Sequence, residues 1–158
     1  MSKKNPVKTI FTGICALAGC AFFANVAAVF AISRKNAEKL DKHPNDHNFM
    51  EALMLQKDTV EIKPDVQNAY ITVTSSIADI IVPMPTHDVM NVDITAVLGK
   101  VNIDLPVNAT INSEGSTRLN YSQEGPEGAP VINLIVKDTL SSLTISFDEL
   151  NGQLQSED

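Results

Sequence analysis

Three stretches of the chain share one pattern of apolar residues: ITVTSSIADIIVPM (residues 71–84), VDITAVLGKVNIDL (residues 92–105) and LIVKDTLSSLTISF (residues 134–147). In each stretch the apolar positions follow at intervals of two, four, three, two and two residues, which predicts a strand, a turn and a second strand. The stretches start 21 and then 42 residues apart, so a degenerate copy is expected to begin at residue 113, with Leu119 at its third apolar position.

All eighteen apolar positions of the three copies are predicted to face one interior. They are Ile71, Val73, Ile77, Ile80, Val82 and Met84 in the first copy, Val92, Ile94, Leu98, Val101, Ile103 and Leu105 in the second, and Leu134, Val136, Leu140, Leu143, Ile145 and Phe147 in the third.

A unit of this length cannot bury its apolar row alone, whereas units stacked on one another can. The repeat therefore predicts an all-β domain over residues 49–158, folded as a short β-solenoid of roughly 21-residue coils. A β-sandwich is the alternative, because it also consists of several short strands with frequent turns. Helical spacing of apolar residues predicts a helical cap at each end, one over residues 49–54 and one through Phe147, Leu150 and Leu154.

Two segments of the repeat resemble a known family. LGKVNIDLP (residues 98–106) and IADIIV (residues 77–82) are similar to the short coil motif of bacterial adhesin-like β-solenoid domains, also called toast-rack or head-GIN domains. The family's Gly-Asp pair is replaced here by Ala78-Asp79, Gly99-Lys100 and Ser141-Ser142. The resemblance implies a domain behind a single membrane anchor, with roles in adhesion or beside envelope-stress sensors. It implies no catalytic residues.

The N-terminal region predicts that anchor. Residues 1–8 form a basic tail, and residues 9–32 carry no charge. As a helix these 24 residues would measure about 36 Å, enough to cross a hydrocarbon core of roughly 30 Å. We expect an uncleaved signal anchor in a bacterial cytoplasmic membrane, with the C-terminal domain on the outer side.

Two alternatives concern the processing of this segment, and one feature suggests a contact. LAGC (residues 17–20) is similar to a lipobox, which makes Cys20 a candidate lipidation site, and small residues near 24–31 offer signal-peptidase sites. Small residues at intervals of four predict a helix–helix contact, either in a homodimer or with the helix of a sensor or transporter. These residues are Thr12, Ala16, Cys20, Ala24 and Ala28.

We predict that residues 33–48 form a charged stalk, which is helical up to Lys42 and interrupted by Pro44. Its His43, Asp46 and His47 are the only cluster that resembles metal ligands, and their spacing favours a solvated stalk over a metal site.

Charge and composition exclude several function classes. The chain has a net charge of −7, and residues 58–158 hold four basic against fifteen acidic residues, so binding of nucleic acid through this region is not expected. Both cysteines lie before residue 21, and no Walker loop, serine-nucleophile elbow or zinc signature occurs. Asp93 and Asp104 are predicted to point outward as part of a solvated face rather than as a catalytic pair.

The sequence therefore predicts a non-enzymatic membrane-anchored surface or envelope protein that binds another protein through its β-domain. We expect no cofactor, no metal and no catalytic residue. The alternative is an accessory membrane subunit that pairs through its transmembrane helix.

Overall fold

The computed structural model describes residues 23, 27, 30–32, 34–43, 45–51, 56–115 and 121–148. Residues 34–40 are helical, as are the described residues between 23 and 32. Ten strands follow: β1 (His47–Glu51), β2 (Lys57–Glu61), β3 (Asn68–Thr74), β4 (Ile77–Ile81), β5 (Val89–Val97), β6 (Lys100–Pro106), β7 (Thr110–Glu114), β8 (Ser122–Gln123), β9 (Val131–Thr139) and β10 (Ser142–Asp148). The prediction of an all-β domain is confirmed.

The strands form a six-stranded sheet in the order β1-β3-β5-β9-β7-β8 and a four-stranded sheet in the order β10-β6-β4-β2. The chain alternates between the sheets, so that β1–β2, β3–β4, β5–β6 and β9–β10 are four stacked units with one strand in each sheet. Neighbouring strands pair in parallel, and among the described strands only β7 and β8 pair antiparallel. This pairing differs from that of a typical β-sandwich, whose sheets are built from antiparallel strands.

The core lies between the two sheets and consists of the inward-facing alternate residues of each strand. Most of the predicted inward positions are fully buried there: Ile71, Val73, Ile80, Val82, Val92, Ile94, Val101, Ile103, Leu105, Leu134 and Val136. β-Branched residues dominate this set, as expected for strands that pack on a pleated surface. The prediction of which residues face inward is confirmed for these eleven.

The prediction that the third apolar position of the repeat faces the interior is wrong for the second and third copies. Leu98 and Leu140 are 37% and 77% exposed, and both lie at the corner between two strands with φ of 54° and 52°. Ile77 occupies the first position of β4 and is partly buried. The corner turns the chain from one sheet to the other, so residues there point away from the interior.

The offset between the first two copies is also different from the prediction. Ile71 pairs with Ile94 and Ile80 with Ile103, an offset of 23 residues rather than 21. The offset of 42 to the next copy is confirmed, because Val92 pairs with Leu134 and Val101 with Leu143. A shift of two residues leaves every side chain on the same face, which is why the inward row survives the error.

The predicted copy at residue 113 is present as a single strand. Ser113 in β7 pairs with Leu134 in β9, in the register of the repeat. However, β9 lies between β5 and β7, and the four-stranded sheet has no described strand that matches β7. Leu119 lies outside the described residues.

Both predicted helical caps differ from the structure. Residues 49–51 belong to strand β1, which pairs with β3, and Phe147 belongs to strand β10, which pairs with β6. In each case the backbone hydrogen bonds offered by a neighbouring strand outweigh a local helical spacing. Leu150 and Leu154 lie outside the described residues.

The helix predicted for the stalk is confirmed over residues 34–40, and it contacts the β-domain rather than standing free in solvent. Lys39 Nζ lies 4.9 Å from the ring centroid of Tyr70, on the outer face of β3, and Asn36 is buried. Thr72 and Thr74, on the same outer face, are fully buried as well. The outer face of β3 is therefore a covered surface.

Candidate functional site

Strand β10 forms one edge of the four-stranded sheet and is incompletely buried. In the described part of the chain it pairs only with β6, where Leu143, Ile145 and Phe147 lie beside Val101, Ile103 and Leu105. The three β6 residues are fully buried. On β10, in contrast, Leu143 and Ile145 are only partly buried, and Phe147 is 38% exposed. One further strand beside β10 would bury its apolar side chains as fully as those of β6 are buried.

The two sheets have unequal widths at this end of the stack. β7 and β8 extend the six-stranded sheet beyond β9, whereas the four-stranded sheet ends at β10. Among the described residues, no strand lies beside β10 on the side away from β6, in the position across from β7. The ring of Tyr121, just before β8, lies 5.3 Å from the ring of Phe147 between centroids and forms one side of this position.

The two edges of the four-stranded sheet differ in charge. β2, at the opposite edge, carries Lys57, Asp58 and Glu61 among its five residues. Charged side chains on an edge strand discourage pairing with another chain. β10 carries no charge from Ser142 to Phe147, where hydroxyl side chains alternate with the apolar residues Leu143, Ile145 and Phe147. We define residues 142–147 as the β10 edge; its chemistry permits pairing with a further strand.

A second feature is a set of cavities along the corner where the strands of the six-stranded sheet begin. One, of about 290 Å³, is lined by His43, Asp46, Asp65 and His87, together with Lys42, Asn45 and Gln67. A neighbouring cavity of about 200 Å³ is lined by His47 and Lys63 among others. All three histidines of the chain therefore lie at this corner, although the sequence places His87 some 40 residues from the other two.

The hydrogen bonds at this corner show how its histidines and carboxylates are arranged. Within the described ranges, no group of three or more His, Cys, Asp or Glu side chains is placed to hold a metal ion. His87 Nε2 lies 3.1 Å from the carbonyl oxygen of Asp65, and both oxygens of Asp46 accept hydrogen bonds from Asn68 Nδ2, at 3.1 and 3.2 Å. These hydrogen bonds join segments that lie 22 residues apart in the chain.

His47 is the histidine whose environment changes its acidity. Burial, and secondly the charge of Lys63, lower the pKa of His47 below its usual value of 6.5. Its Nε2 atom is buried and has no hydrogen-bond partner among the residues that the structure describes. Protonation would place a cation in a site that disfavours it.

We expect the free energy of unfolding to fall as the pH is lowered from about 7.5 to 5.5, because the unfolded chain, whose histidine has the higher pKa, then binds more protons. The decrease ends once the pH is below the pKa of His47 in the folded protein. Urea unfolding at several pH values measures this, and the His47→Gln variant should show a smaller decrease. An equal pH dependence in both proteins would contradict the role of His47.

The predicted outward positions of Asp93 and Asp104 are confirmed, but the two carboxylates belong to different sheets, on β5 and β6. Asp93 lies 3.6 Å from Lys137 Nζ, and Asp104 Oδ1 accepts a hydrogen bond from Ser146 Oγ. The structure does not bring them together as an acid–base pair. On β4, hydrogen bonds from Lys57 and Asn102 lower the pKa of Asp79.

An asparagine ladder on the outer face of the six-stranded sheet is a feature that the sequence analysis missed. Asn91 Nδ2 donates to Asn68 Oδ1 at 3.0 Å, and Asn133 Nδ2 donates to Asn91 Oδ1 at 3.0 Å. Asn112 Nδ2 extends the ladder to Asn133 Oδ1 at 3.3 Å, and Asp46 closes its other end. The signal in the sequence was the recurrence of asparagine at residues 91, 112 and 133.

The membrane-related predictions fall almost entirely outside the described residues. These include the candidate lipidation site and the predicted helix contact, namely Thr12, Ala16, Cys20, Ala24 and Ala28. Among the residues that the structure describes, no helix has the length and apolar character needed to cross a membrane.

Comparison with known proteins gives no family assignment. No family model matches the chain, and neither a curated protein nor a solved structure is significantly similar to it.

Proposed function

We propose that this chain is a non-enzymatic, membrane-anchored envelope protein whose β-domain is a solenoid that binds an extended segment of another protein along the β10 edge. The proposal is carried by one observation: apolar side chains that are fully buried on β6 are partly exposed at the matching positions of β10. Binding by strand addition supplies main-chain hydrogen bonds to a free edge and side-chain contacts to alternate residues.

The stacking of parallel units supports the solenoid interpretation. Each unit adds one strand to each sheet, and the apolar rows of the two inner units, β3–β4 and β5–β6, are buried against the units before and after them. In repeat proteins such units are stable only when stacked, because each unit buries its apolar residues against its neighbours. The resemblance of residues 77–82 and 98–106 to adhesin-like toast-rack domains is consistent with the same interpretation.

Residues 9–32 support the membrane anchor, because they form 24 consecutive uncharged and largely apolar residues directly before the helix of residues 34–40. We place the chain in a bacterial cytoplasmic membrane, with its domain on the outer side. The acidic charge of the domain argues against nucleic acid as a partner.

The shape of the end of the stack favours a single extended segment over a second copy of the chain. An antiparallel pairing of two β10 strands would bring the second copy's own β9 to the place that β7 already occupies. One added strand, in contrast, fits between β10 and the overhang of β7 and β8. A segment with alternating apolar residues would place those residues against Leu143, Ile145 and Phe147.

Site-specific photocross-linking in the producing cells tests this proposal. With p-benzoylphenylalanine in place of Ser146, we expect a covalent adduct of one defined mass. The matched control carries the same group at Thr59, an exposed position on the charged edge strand β2, and should give no such adduct. Mass spectrometry should place the captured residue in a segment of alternating apolar residues. Identical adducts from both positions, or none from any β10 position, would contradict the proposal.

A further inference from the structure

Three residues at one corner of the stack have left-handed backbone conformations. Ser75, Leu98 and Leu140 have φ of 52°, 54° and 52°, and they occupy equivalent positions in successive units, because Thr74 pairs with Val97 and Val97 with Thr139. We call them the corner row. Hydrogen bonds hold the row in place: the Ser75 amide donates to Val97 O at 2.9 Å, and the Leu98 amide donates to Thr139 O at 3.0 Å.

Leucine is an unfavourable residue at such positions. Glycine and asparagine adopt left-handed backbone conformations more readily than leucine, whose Cβ clashes with the backbone there. Burial compensates little for this strain at Leu140, which is 77% exposed, and only in part at Leu98, which is 37% exposed. Two leucines that are neighbours in the corner row are therefore presented to solvent, Leu140 largely and Leu98 in part, although their backbone conformation disfavours leucine. Strain of this kind is characteristic of residues with a contact to make elsewhere.

The corner row lies at the end of the domain that carries little net charge. Lys57 and Lys100 begin the strands that follow the corner, and three acidic residues lie close to them, namely Glu51, Asp58 and Asp138. The opposite corner is more acidic. Its cavities are lined by Asp46, Asp65 and Asp88, with Lys42 and Lys63 as the cations. Glu124 and Glu127 lie in the neighbouring loop. An acidic domain can approach anionic headgroups most easily through its least acidic end.

The course of the chain places the anchor on the side of this row. Lys39 lies over Tyr70, the third residue of β3, and the chain reaches the start of β3 only later, where Asp46 accepts a hydrogen bond from Asn68. From residue 39 to residue 46 the chain thus runs against the direction of the strands. The N-terminal end of the helix, which follows the apolar residues 9–32, is therefore directed toward the ends of the strands, where the corner row lies.

We propose that Leu98 and Leu140 insert into the headgroup region of the membrane that anchors the chain and so set the orientation of the domain on that membrane. The inference rests on the membrane anchoring proposed above. Two leucines alone would bind a bilayer weakly. Tethered by an anchor, however, they face the membrane at a high effective concentration, so a weak contact suffices. The β10 edge then stays accessible, because its residues lead away from the corner.

Because the chain contains no tryptophan, one introduced tryptophan reports its own surroundings. We would reconstitute full-length Leu140→Trp protein into vesicles of equal parts phosphatidylcholine and phosphatidylglycerol. Its emission should be blue-shifted and should lose roughly half of its intensity when the lipids carry bromine on their upper acyl carbons, as expected for a side chain about 5–10 Å deep. The matched control is Glu127→Trp, at an exposed position of the loop near the opposite corner, which should show neither effect.

Flotation of the same vesicles separates this inference from the proposed function. Protein that floats at alkaline pH, without quenching of the Leu140→Trp emission, would overturn the corner contact alone. Protein that does not float would overturn both. A structural role of the leucines is tested by the double variant Leu98→Asn, Leu140→Asn, because asparagine tolerates the left-handed conformation. We expect its Tm to be unchanged or higher, and a clear decrease would show that the leucines serve packing and would overturn the inference.

Discussion

The Ile103→Asp variant is expected to be unfolded at room temperature. Ile103 is fully buried on β6 and lies between Ile80 and Ile145 of the two neighbouring strands. A carboxylate there would lose its hydration without gaining a partner, at a cost of about 4 kcal/mol or more, which is comparable to the whole stability of a small domain. Circular dichroism should show the loss of the β signal and of the cooperative melt.

Asp104→Asn is the matched control, because residue 104 is adjacent in sequence and points outward. The amide keeps an oxygen that can accept the hydrogen bond from Ser146 Oγ. We expect a change of about 0.5 kcal/mol or less in the free energy of unfolding, as for other surface substitutions. Equal melting curves for the two variants would contradict the assignment of inward and outward faces on β6.

The second large effect is expected from Asn91→Ala, in the middle of the asparagine ladder. Asn91 accepts from Asn133 and donates to Asn68, so its removal leaves one donor and one acceptor without partners in a half-buried row. We expect the free energy of unfolding to decrease by about 2 kcal/mol. Urea denaturation at neutral pH, with unchanged m value, measures this decrease.

The terminal position of the ladder supplies the comparison for this prediction. Asn112 is exposed and donates a hydrogen bond of 3.3 Å to Asn133. We therefore expect Asn112→Ala to lower the free energy of unfolding by about 0.5 kcal/mol. If both substitutions cost the same, the ladder contributes only as separate surface contacts and not as a connected row.

The inward and outward faces could be predicted because the side chains of a strand alternate. Ile71, Ile94 and Leu134 were expected to be buried and are buried, although the offset between the first two units was wrong by two residues. An apolar pattern of period two fits equally well after such a shift. The correct offset is identified by contacts between strands, such as the hydrogen bond of Asn91 to Asn68, which a single sequence does not display.

The corner could not be predicted for a related reason. Leu98 and Leu140 match the apolar template, which gives no indication of their left-handed backbone. Gly99 gives a partial signal: a Cβ atom at this residue would lie 2.9 Å from the carbonyl oxygen of Ser76, so the units approach closely there. The exposure of the leucines follows from this change of direction, which only the packed units impose.

The candidate binding edge could be predicted only in part. The sequence shows that Ser142–Phe147 is an uncharged strand of alternating pattern, but it does not show that this strand is last in its sheet. That depends on β9 pairing with β5, while β7, which comes earlier in the chain, pairs with the other side of β9. Pairing between distant strands is decided by the gain in burial over the whole stack, and not by the local sequence.

By itself, then, the sequence determined the all-β class, the repeat, the alternation of buried and exposed residues and the acidity of the domain, because these follow from local spacing and composition. Only the tertiary structure decided the order of the strands, the offset of 23 residues, the convergence of the three histidines and the partly exposed edge at β10. The physical reason is that hydrogen bonds between parallel strands join residues 20 to 42 positions apart. Their energies depend on which strands become neighbours in the folded chain.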